Sequence, residues 1–232
     1  MSEVYSMENI QYVQYNRNRE PTTSIEFLGL EAAKQVKSFH ESIDIYQPTP
    51  LVKLANLAKE VGVQSIFVKD ESYRFGLNAF KALGGSYAIA KKISAQLEEG
   101  ELSYPYLTSE KVREKLGELT FVTATDGNHG RGVAWTAKKF GHKSVVYLPK
   151  GSAKERLESI RSEGAEASIT DFNYDDTVRY AEEMANKHGW VLVQDTAWDG
   201  YTEIPKWIMQ GYITMAVEAY EQLGNIKTTH IF

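Results

Sequence analysis

The sequence predicts an α/β fold in which a parallel sheet is flanked by helices. In the second half of the chain, four short runs rich in β-branched and aromatic residues begin about 23 residues apart. Each gap between them carries apolar residues at helical spacing. A gap of this length holds one crossover helix and leaves too little room for hairpins, so neighbouring strands are expected to run parallel.

The elements follow in chain order. Before the sheet, we expect an extended entry at residues 48–51, a helix at 54–58, a strand at 66–69 and a helix at 78–97. Residues 98–118 are rich in lysine and glutamate, which favours a solvated helical excursion. The strands of the sheet are predicted at residues 120–124, 144–148, 167–170 and 190–193.

The helices between these strands have recognisable ends. The first is expected to stop at Gly141. The second is expected to be capped by Ser152, and the third to begin at Asp171 or Asn173. Residues 228–232 are typical of the start of another strand, inside which the chain stops.

Composition favours a globular protein that binds small molecules. The chain has 232 residues, 42% of them hydrophobic, and a net charge of −5 without a basic stripe. We therefore expect neither a nucleic-acid nor a membrane partner. The absence of cysteine excludes disulfides and thiolate chemistry. Residues 1–18 do not resemble a signal peptide, which favours a cytoplasmic location.

Lys81 lies on the opening turn of the helix predicted at residues 78–97. A cation in a first turn meets the positive end of the helix dipole, which is unfavourable by roughly 0.3–1 kcal/mol at exposed sites. This setting, together with burial, would favour the neutral amine, which is the form that condenses with an aldehyde. The alternative is an ordinary solvated lysine.

The segment 121–134 runs from a strand through a Gly-rich turn into a helix. The backbone amides of such a turn face an anion, such as a carboxylate or a phosphate. Gly127, Gly130 and Gly132 occur in the order GxxGxG, which differs from the dinucleotide fingerprint. The chain contains no GxxxxGK[ST] phosphate loop either.

Several polar side chains in and after this turn are candidate site residues. Asp126 is expected to have the raised pKa of a general base, although it also suits an ordinary turn. Asn128 offers a donor and an acceptor. Asp195 follows a strand at its carboxyl end, where ligands bind, but could equally cap a helix. His129 is expected to hydrogen-bond locally and at most to neighbour a substrate.

The remaining histidines lack metal-ligand spacing, so no metal site is expected. Aromatic residues near amphipathic segments are expected to pack in the interior. They include Tyr201, Trp207 and Tyr212.

Five pieces of the chain occur together in the order found in one enzyme family. They are PTPL at 48–51, KDES at 69–72, NAFKALGG at 78–85, TDGNHGRGVA at 125–134 and VQDTAW at 193–198. On these pieces the chain resembles the fold-type II pyridoxal 5'-phosphate enzymes, which share a tryptophan synthase β-like fold, and most of all the diaminopropionate ammonia-lyases. The resemblance implies a large cofactor domain that includes residues 1–84 and 191–232, and a small α/β domain of residues 85–190.

The resemblance also implies roles for the site residues. Lys81 would bind pyridoxal phosphate covalently, and Asn128 would hydrogen-bond the ring hydroxyl of the cofactor. Asp126 and Asp195 would face the amino acid. Residues of the turn would receive the substrate carboxylate, namely Thr125, Asp126, Gly127, Asn128 and His129.

The reaction implied is β-elimination of 2,3-diaminopropionate to pyruvate and ammonia. In related serine and threonine dehydratases a small residue stands where this chain has Asp126, which favours the diaminopropionate lyase over the dehydratase. Lys81 and Asp126 could each take the α-proton from one side, which would explain how both enantiomers react.

The resemblance further implies a second half that bears the phosphate-binding loop, and a homodimer. We therefore expect this chain to be an amino-terminal portion that is inactive alone. The alternative is a non-catalytic truncated remnant, or half of a split gene that needs a complementary carboxyl-terminal chain.

Overall fold

The computed structural model describes residues 3–7, 10–14, 24–97, 101–125 and 127–232. Its strands are β1 (Glu3–Met7), β2 (Ile10–Gln14), β3 (Leu51–Lys53), β4 (Phe67–Lys69), β5 (Thr120–Ala124), β6 (Lys143–Leu148), β7 (Glu166–Ile169) and β8 (Val191–Leu192). Its helices are α1 (Leu30–Glu41), α2 (Ala55–Glu60), α3 (Lys81–Ser94), α4 (Tyr104–Leu107), α5 (Glu110–Leu116), α6 (Asn128–Lys139), α7 (Lys154–Ser162), α8 (Tyr174–His188) and α9 (Glu203–Leu223). Short 3-10 helices lie at Glu26–Leu28 and Glu71–Gly76.

The main sheet has four parallel strands in the order β7-β6-β5-β8. Val122 in β5 pairs with Val145 on one side and with Leu192 on the other. The predicted parallel sheet is therefore confirmed, with strand bounds that shift by at most one residue. β5 lies in the interior of the sheet, and its side chains are buried from Phe121 onward.

Side chains of the sheet alternate between two helical layers, because successive residues of a strand point to opposite faces. Val146 packs with Ala134 of α6 and Ile160 of α7. Val145, next along the strand, packs instead with Ala181 of α8. Helices therefore cover both faces of the sheet, as expected for parallel strands.

The helix ends agree with the predicted signals at one helix and differ at another. Asn173 caps α8, where its Oδ1 accepts a hydrogen bond from the Asp176 amide at 2.9 Å. The prediction that Ser152 caps α7 is wrong, since the capping position is Ala153. The Ser152 amide donates to the Pro149 carbonyl in a turn, so the chain enters the helix one residue later.

Helix α3 lies between α6 and α9 and makes close contact with both. A Cβ on Gly132 of α6 would lie 3.0 Å from the Ala82 amide nitrogen of α3, and one on Gly211 of α9 would lie 2.4 Å from the Leu83 carbonyl oxygen. These two glycines let the three backbones approach. The helix predicted at residues 78–97 begins at Lys81, because Asn78 adopts a positive φ of 56°.

The strand predicted at residues 66–69 is found as β4, which pairs antiparallel with β3. The helical stretch predicted at residues 98–118 is found as two short helices, α4 and α5, and residues 98–100 lie outside the described ranges. One further prediction is wrong. Residues 228–232 do not form a strand, since no described strand pairs with them, and Phe232 is fully exposed.

The predicted division into residues 1–84 with 191–232 and residues 85–190 stays a prediction. Within the part of the chain that the structure describes, no helix combines the length and the apolar character needed to cross a bilayer.

Candidate functional site

The side chains of Lys81 and Asp195 meet at the carboxyl end of the parallel sheet. Lys81 is the first residue of α3, and its Nζ donates to Asp195 Oδ2 at 3.0 Å. The Lys81 side chain is 31% exposed and that of Asp195 is 19% exposed. The amine is thus anchored by an ion pair while a small molecule can still reach it.

Asp195 is held firmly because the residues before it belong to the sheet. The Val193 amide donates to the Val122 carbonyl at 2.8 Å. The Gln194 side chain accepts a hydrogen bond from the Ala124 amide at 3.0 Å. Asp195 is therefore the residue at which the chain leaves the sheet, and it does not cap a helix, since α9 begins only at Glu203.

The expectation of a neutral Lys81 amine is reversed. Burial lowers the pKa of Lys81, but interactions with Tyr212 and Asp195 raise it by more, so the net pKa shift is upward. Burial raises the pKa of Asp195, whereas His129 and Lys81 lower it by more. The pair is therefore an ammonium and a carboxylate at neutral pH. The helix-dipole argument failed because it left out these distant partners.

The predicted Gly-rich turn joins β5 to α6. Thr125 is buried, and its Oγ1 accepts a hydrogen bond from the Gly127 amide at 3.0 Å. A Cβ on Gly130 would lie 2.3 Å from Thr125 Cγ2, so only glycine fits there. Asp126, a predicted catalytic residue, lies outside the described residues.

This turn lies close to the lysine because of Gly132. A Cβ at Gly132 would lie 3.1 Å from the carbonyl carbon of Lys81, inside ordinary van der Waals contact. The missing side chain lets the first turns of α6 and α3 approach each other. The fold thus brings the predicted turn and the predicted lysine to one place.

His129, in the first turn of α6, is buried beside Asp195. Its Nε2 donates to the Val193 carbonyl at 2.8 Å, and its Nδ1 lies 3.8 Å from Asp195 Oδ2. Burial lowers the pKa of His129, so the ring is neutral. The local hydrogen bond was expected, but the approach to Asp195 was not, because nothing in the sequence near His129 indicates it.

Asn128 and Gly127 are not in this cluster. Asn128 is exposed, and both residues line an open groove beside the turn. The other residues that line this groove are Arg131, Glu155, Arg156, Ser159 and Ile160. Arg131 also pairs with Glu163 at 2.8 Å.

Two aromatic residues that the sequence did not assign to the site flank the amine. Lys81 Nζ lies 5.4 Å from the ring centre of Tyr212 and 5.6 Å from that of Phe80. Tyr212 was expected only to pack in the interior. The sequence around Tyr212 does not indicate a place in the site, because Tyr212 reaches Lys81 through a contact between α9 and α3, which lie far apart in the chain.

A buried ion network fixes α9 behind the site. Glu218 of α9 accepts from Arg74 Nη2 at 2.8 Å and pairs with Lys69 at 2.7 Å. Arg74 is fully buried and also pairs with Glu71 at 2.8 Å. Lys69 and Glu71 belong to the KDES piece, and Thr49 of the PTPL piece donates to Glu218 through its amide at 3.1 Å. These pieces position α9 and do not touch the amine.

The residues around Lys81 fit a cofactor that reacts through an aldehyde. The amine is reachable, and it can become the nucleophile once its proton is removed. Among the described residues, His129 Nδ1 and the Tyr212 hydroxyl are buried polar atoms without a hydrogen-bond partner. Both atoms lie beside the Lys81–Asp195 pair, so each of them can form a hydrogen bond to a polar group of a bound ligand.

Comparisons with known proteins agree with this chemistry. The family model described as "Pyridoxal-phosphate dependent enzyme" matches residues 43–232. The chain is 52% identical to the diaminopropionate ammonia-lyase of Salmonella typhimurium, over 97% of this chain and 57% of that protein. It is 54% identical to the diaminopropionate ammonia-lyase of Escherichia coli K12, over 85% of this chain and 49% of that protein.

Solved structures give the same result. A crystal structure of the Escherichia coli diaminopropionate ammonia lyase in apo form matches with a TM-score of 0.84 at 51% identity, over 91% of this chain and 58% of that one. A tomato threonine deaminase matches with a TM-score of 0.66 at 18% identity, over 90% of this chain and 52% of that one, which shows the fold alone. The chain spans about half the length of the curated relatives it matches.

Proposed function

The chain belongs to the pyridoxal-phosphate-dependent enzymes, and we propose that it supplies the lysine-bearing part of a lyase that acts on 2,3-diaminopropionate. The observation that carries the proposal is the 3.0 Å contact between the Lys81 amine and the Asp195 carboxylate, beside the Gly-rich turn. The relatives at 52–54% identity are named diaminopropionate ammonia-lyases. The overall change is 2,3-diaminopropionate plus water to pyruvate and two ammonia.

Lys81 would hold pyridoxal phosphate, which when bound would supply an electron sink next to the substrate carboxylate. Asn128 lies outside the Lys81–Asp195 cluster, so it would have to turn towards Lys81 to hydrogen-bond the ring hydroxyl. The Thr125 hydroxyl and the first backbone amides of α6, that of His129 included, would bind that carboxylate, because the amides of Thr125 and Gly127 already donate to the Tyr147 carbonyl and to Thr125 Oγ1. This part of the proposal follows the predicted roles, with the turn and the lysine in adjacent positions.

Lys81 transfers a proton. Once its amine is free and neutral, it removes the α-proton from one side of the substrate. Asp126 removes the proton of the opposite enantiomer from the other side. Lys81 begins as an ammonium paired with Asp195, so its proton must leave before it can act as a nucleophile or a base.

Asp195 selects the substrate by charge. When the Lys81 amine is engaged elsewhere, the Asp195 carboxylate is left partly buried without its cation, which is unfavourable. The second ammonium of 2,3-diaminopropionate replaces that cation, whereas the hydroxyl of serine carries no charge. This exchange of partners favours the diamine over serine.

The test is pyruvate release from each enantiomer of 2,3-diaminopropionate, with L-serine and L-threonine as competing substrates. The 232-residue chain is assayed alone and together with the carboxyl-terminal half of the Salmonella typhimurium relative. We expect pyruvate from both enantiomers in the mixture, little from the chain alone, and none from Lys81→Ala. Lys91→Ala, in the same helix, is the matched control and should retain activity.

The outcomes separate the candidate functions. A preference for serine or threonine would favour a dehydratase. No activity in any mixture, with a correctly folded chain, would favour a non-catalytic remnant. A homodimeric state and a cytoplasmic location remain predictions.

A further inference from the structure

Strand β8 is an edge strand of the main sheet, because among the described strands it pairs only with β5. Its backbone groups therefore point alternately towards β5 and away from the sheet. The Val193 amide points inward and donates to the Val122 carbonyl at 2.8 Å. The carbonyl of Leu192 and the amide of Gln194 point outward, and both residues are buried. These two outward groups therefore need a partner that takes the place of a neighbouring strand.

The hydroxyl of Tyr201 bonds both outward groups of β8. Tyr201 Oη accepts a hydrogen bond from the Gln194 amide at 2.9 Å and donates one to the Leu192 carbonyl at 3.0 Å. A phenol can do this because its oxygen donates one hydrogen bond and accepts another, whereas a phenylalanine ring does neither. One side chain thus supplies the donor and the acceptor that a further strand would offer at this edge.

A tight turn brings the Tyr201 ring to β8. The Tyr201 amide donates to the Trp198 carbonyl at 3.0 Å, and the Trp198 amide donates to the Tyr201 carbonyl at 3.3 Å. Between them, Gly200 has a positive φ of 83°, which glycine adopts without strain. The two rings stack with centroids 4.3 Å apart. The phenol is therefore held in place by its own turn.

Asp195 lies inside the loop that Tyr201 closes. The bond between the Gln194 amide and Tyr201 Oη joins the two ends of this loop, and Asp195 is its first residue. The Asp195 carboxylate accepts from Lys81 Nζ at 3.0 Å. The end of β8 is thus held on its inner side by β5 and on its outer side by Tyr201.

We propose that Tyr201 is a positioning residue, which closes the open edge of β8 and thereby holds the Asp195 carboxylate against the Lys81 amine. The sequence predicted only interior packing for Tyr201, and its ring does pack against the cluster that contains Leu192. Burial raises the pKa of Tyr201, so the phenol keeps the proton that it donates to Leu192. The importance of Tyr201 for catalysis rests on the proposed function, but its effect on the Lys81–Asp195 pair does not.

The test is reductive methylation of the 232-residue chain with formaldehyde and cyanoborohydride, followed by peptide mass spectrometry at Lys81 over a range of pH. The amine reacts in its neutral form, so the rate reports how strongly Asp195 retains the proton on it. The variants are Tyr201→Phe, Asp195→Asn and the double variant. The matched control is Tyr87→Phe, since the buried Tyr87 lies on the same helix as Lys81 but its hydroxyl donates to Gln35 at 3.0 Å.

We expect Asp195→Asn to speed the methylation of Lys81 at neutral pH by about tenfold or more, because loss of an adjacent opposite charge lowers the pKa of an amine. Tyr201→Phe should speed it by about two- to fivefold. This is the Coulomb attraction lost when a carboxylate 3.0 Å from an amine moves away by about 0.5 Å at an effective dielectric constant of about 20. In the Asp195→Asn background, Tyr201→Phe should have no further effect, because no carboxylate remains to be positioned. Tyr87→Phe should leave the Lys81 profile unchanged.

An unchanged Lys81 profile in Tyr201→Phe would overturn the proposal in favour of a purely structural tyrosine, whatever the change in melting temperature. A shift of the same size in the Asp195→Asn background would also overturn it, because Tyr201 would then act on Lys81 by another route.

Hydrogen exchange on the unmodified sequence tests the edge contact without any variant, and it decides the matter if Tyr201→Phe does not fold. The Gln194 amide should exchange as slowly as the Val193 amide, which is bonded inside the sheet. Exchange of the Gln194 amide at the rate of an exposed loop would overturn the proposal.

The cofactor is not used in either experiment. A failure of the proposed function, seen as attachment of pyridoxal phosphate to another lysine, is therefore distinguishable from a failure of Tyr201 to position Asp195.

Discussion

Gly211→Ala should loosen the contact between α9 and α3 that positions the site. The added Cβ would lie 2.4 Å from the Leu83 carbonyl oxygen and 2.7 Å from Gly84 Cα, whereas ordinary contact begins at 3.4 Å. Both obstacles are backbone atoms, which cannot rotate away. Because protein cores are close-packed, helix α9 must move away from α3 by about 1 Å. This is the difference between the 2.4 Å contact and the 3.4 Å at which ordinary contact begins.

Overpacking of this kind destabilises proteins by about 1–3 kcal/mol. Replacing glycine by alanine inside a helix stabilises the helix by up to about 1 kcal/mol, which offsets part of this loss. We expect a net loss near 2 kcal/mol, because the backbone clash is severe. In a chain of this size that loss lowers the melting temperature by roughly 4–8 °C.

Thermal and urea unfolding followed by circular dichroism measure this effect. Gly85→Ala is the matched control, since it adds the same methyl group to α3 but meets the Gly132 backbone at an ordinary 3.5 Å. The control should be neutral or slightly stabilising. If Gly211→Ala is as stable as the unmodified sequence, or if Gly85→Ala is equally destabilised, the close helix crossing does not exist as described.

Three further predictions follow from the site and its supports. Asp195→Asn should lower kcat/KM for 2,3-diaminopropionate by roughly 10- to 100-fold, because one charge-assisted hydrogen bond is lost, and should lower kcat/KM for serine less. Equal effects on both substrates in the pyruvate assay would contradict the selection by charge. Glu218→Gln should lower the free energy of unfolding in urea by about 3–5 kcal/mol, because it leaves Arg74 and Lys69 buried with one carboxylate fewer. An unchanged urea midpoint would contradict this prediction. Burial lowers the pKa of His40 from 6.5 to about 3, so the folded state binds a proton less readily than the unfolded state, and stability should fall as the pH drops from 6.5 towards 3. In His40→Gln the urea midpoint should depend less on pH in this window. An equal dependence of the urea midpoint on pH in both proteins would refute the assignment.

The local signals in the sequence predicted the sheet and placed Lys81 in the first turn of its helix. Strand β5 matches its predicted residues 120–124, because its residues from Phe121 onward are buried between two helical layers. The glycine at position 130 marked a turn that admits no side chain. These features depend on neighbours in the chain, which a sequence pattern records directly.

The remainder depends on contacts between distant residues. The bond between Lys81 and Asp195 joins positions 114 residues apart, and it reverses the predicted charge state of the amine. Tyr212 reaches the site only because α9 crosses α3 at Gly211. The predicted strand at 228–232 failed for the same reason, since a strand forms only where a partner strand exists.

Attachment of pyridoxal phosphate to one lysine tests the central claim most directly. The chain is incubated with pyridoxal phosphate and reduced with borohydride, and the pyridoxyl adduct is mapped by peptide mass spectrometry, with Lys81→Ala and Lys91→Ala as variants. We predict a single dominant adduct on Lys81 that disappears in Lys81→Ala and persists in Lys91→Ala. A dominant adduct on any other lysine, or labelling that survives in Lys81→Ala, would contradict the assignment of Lys81 as the residue that binds the aldehyde.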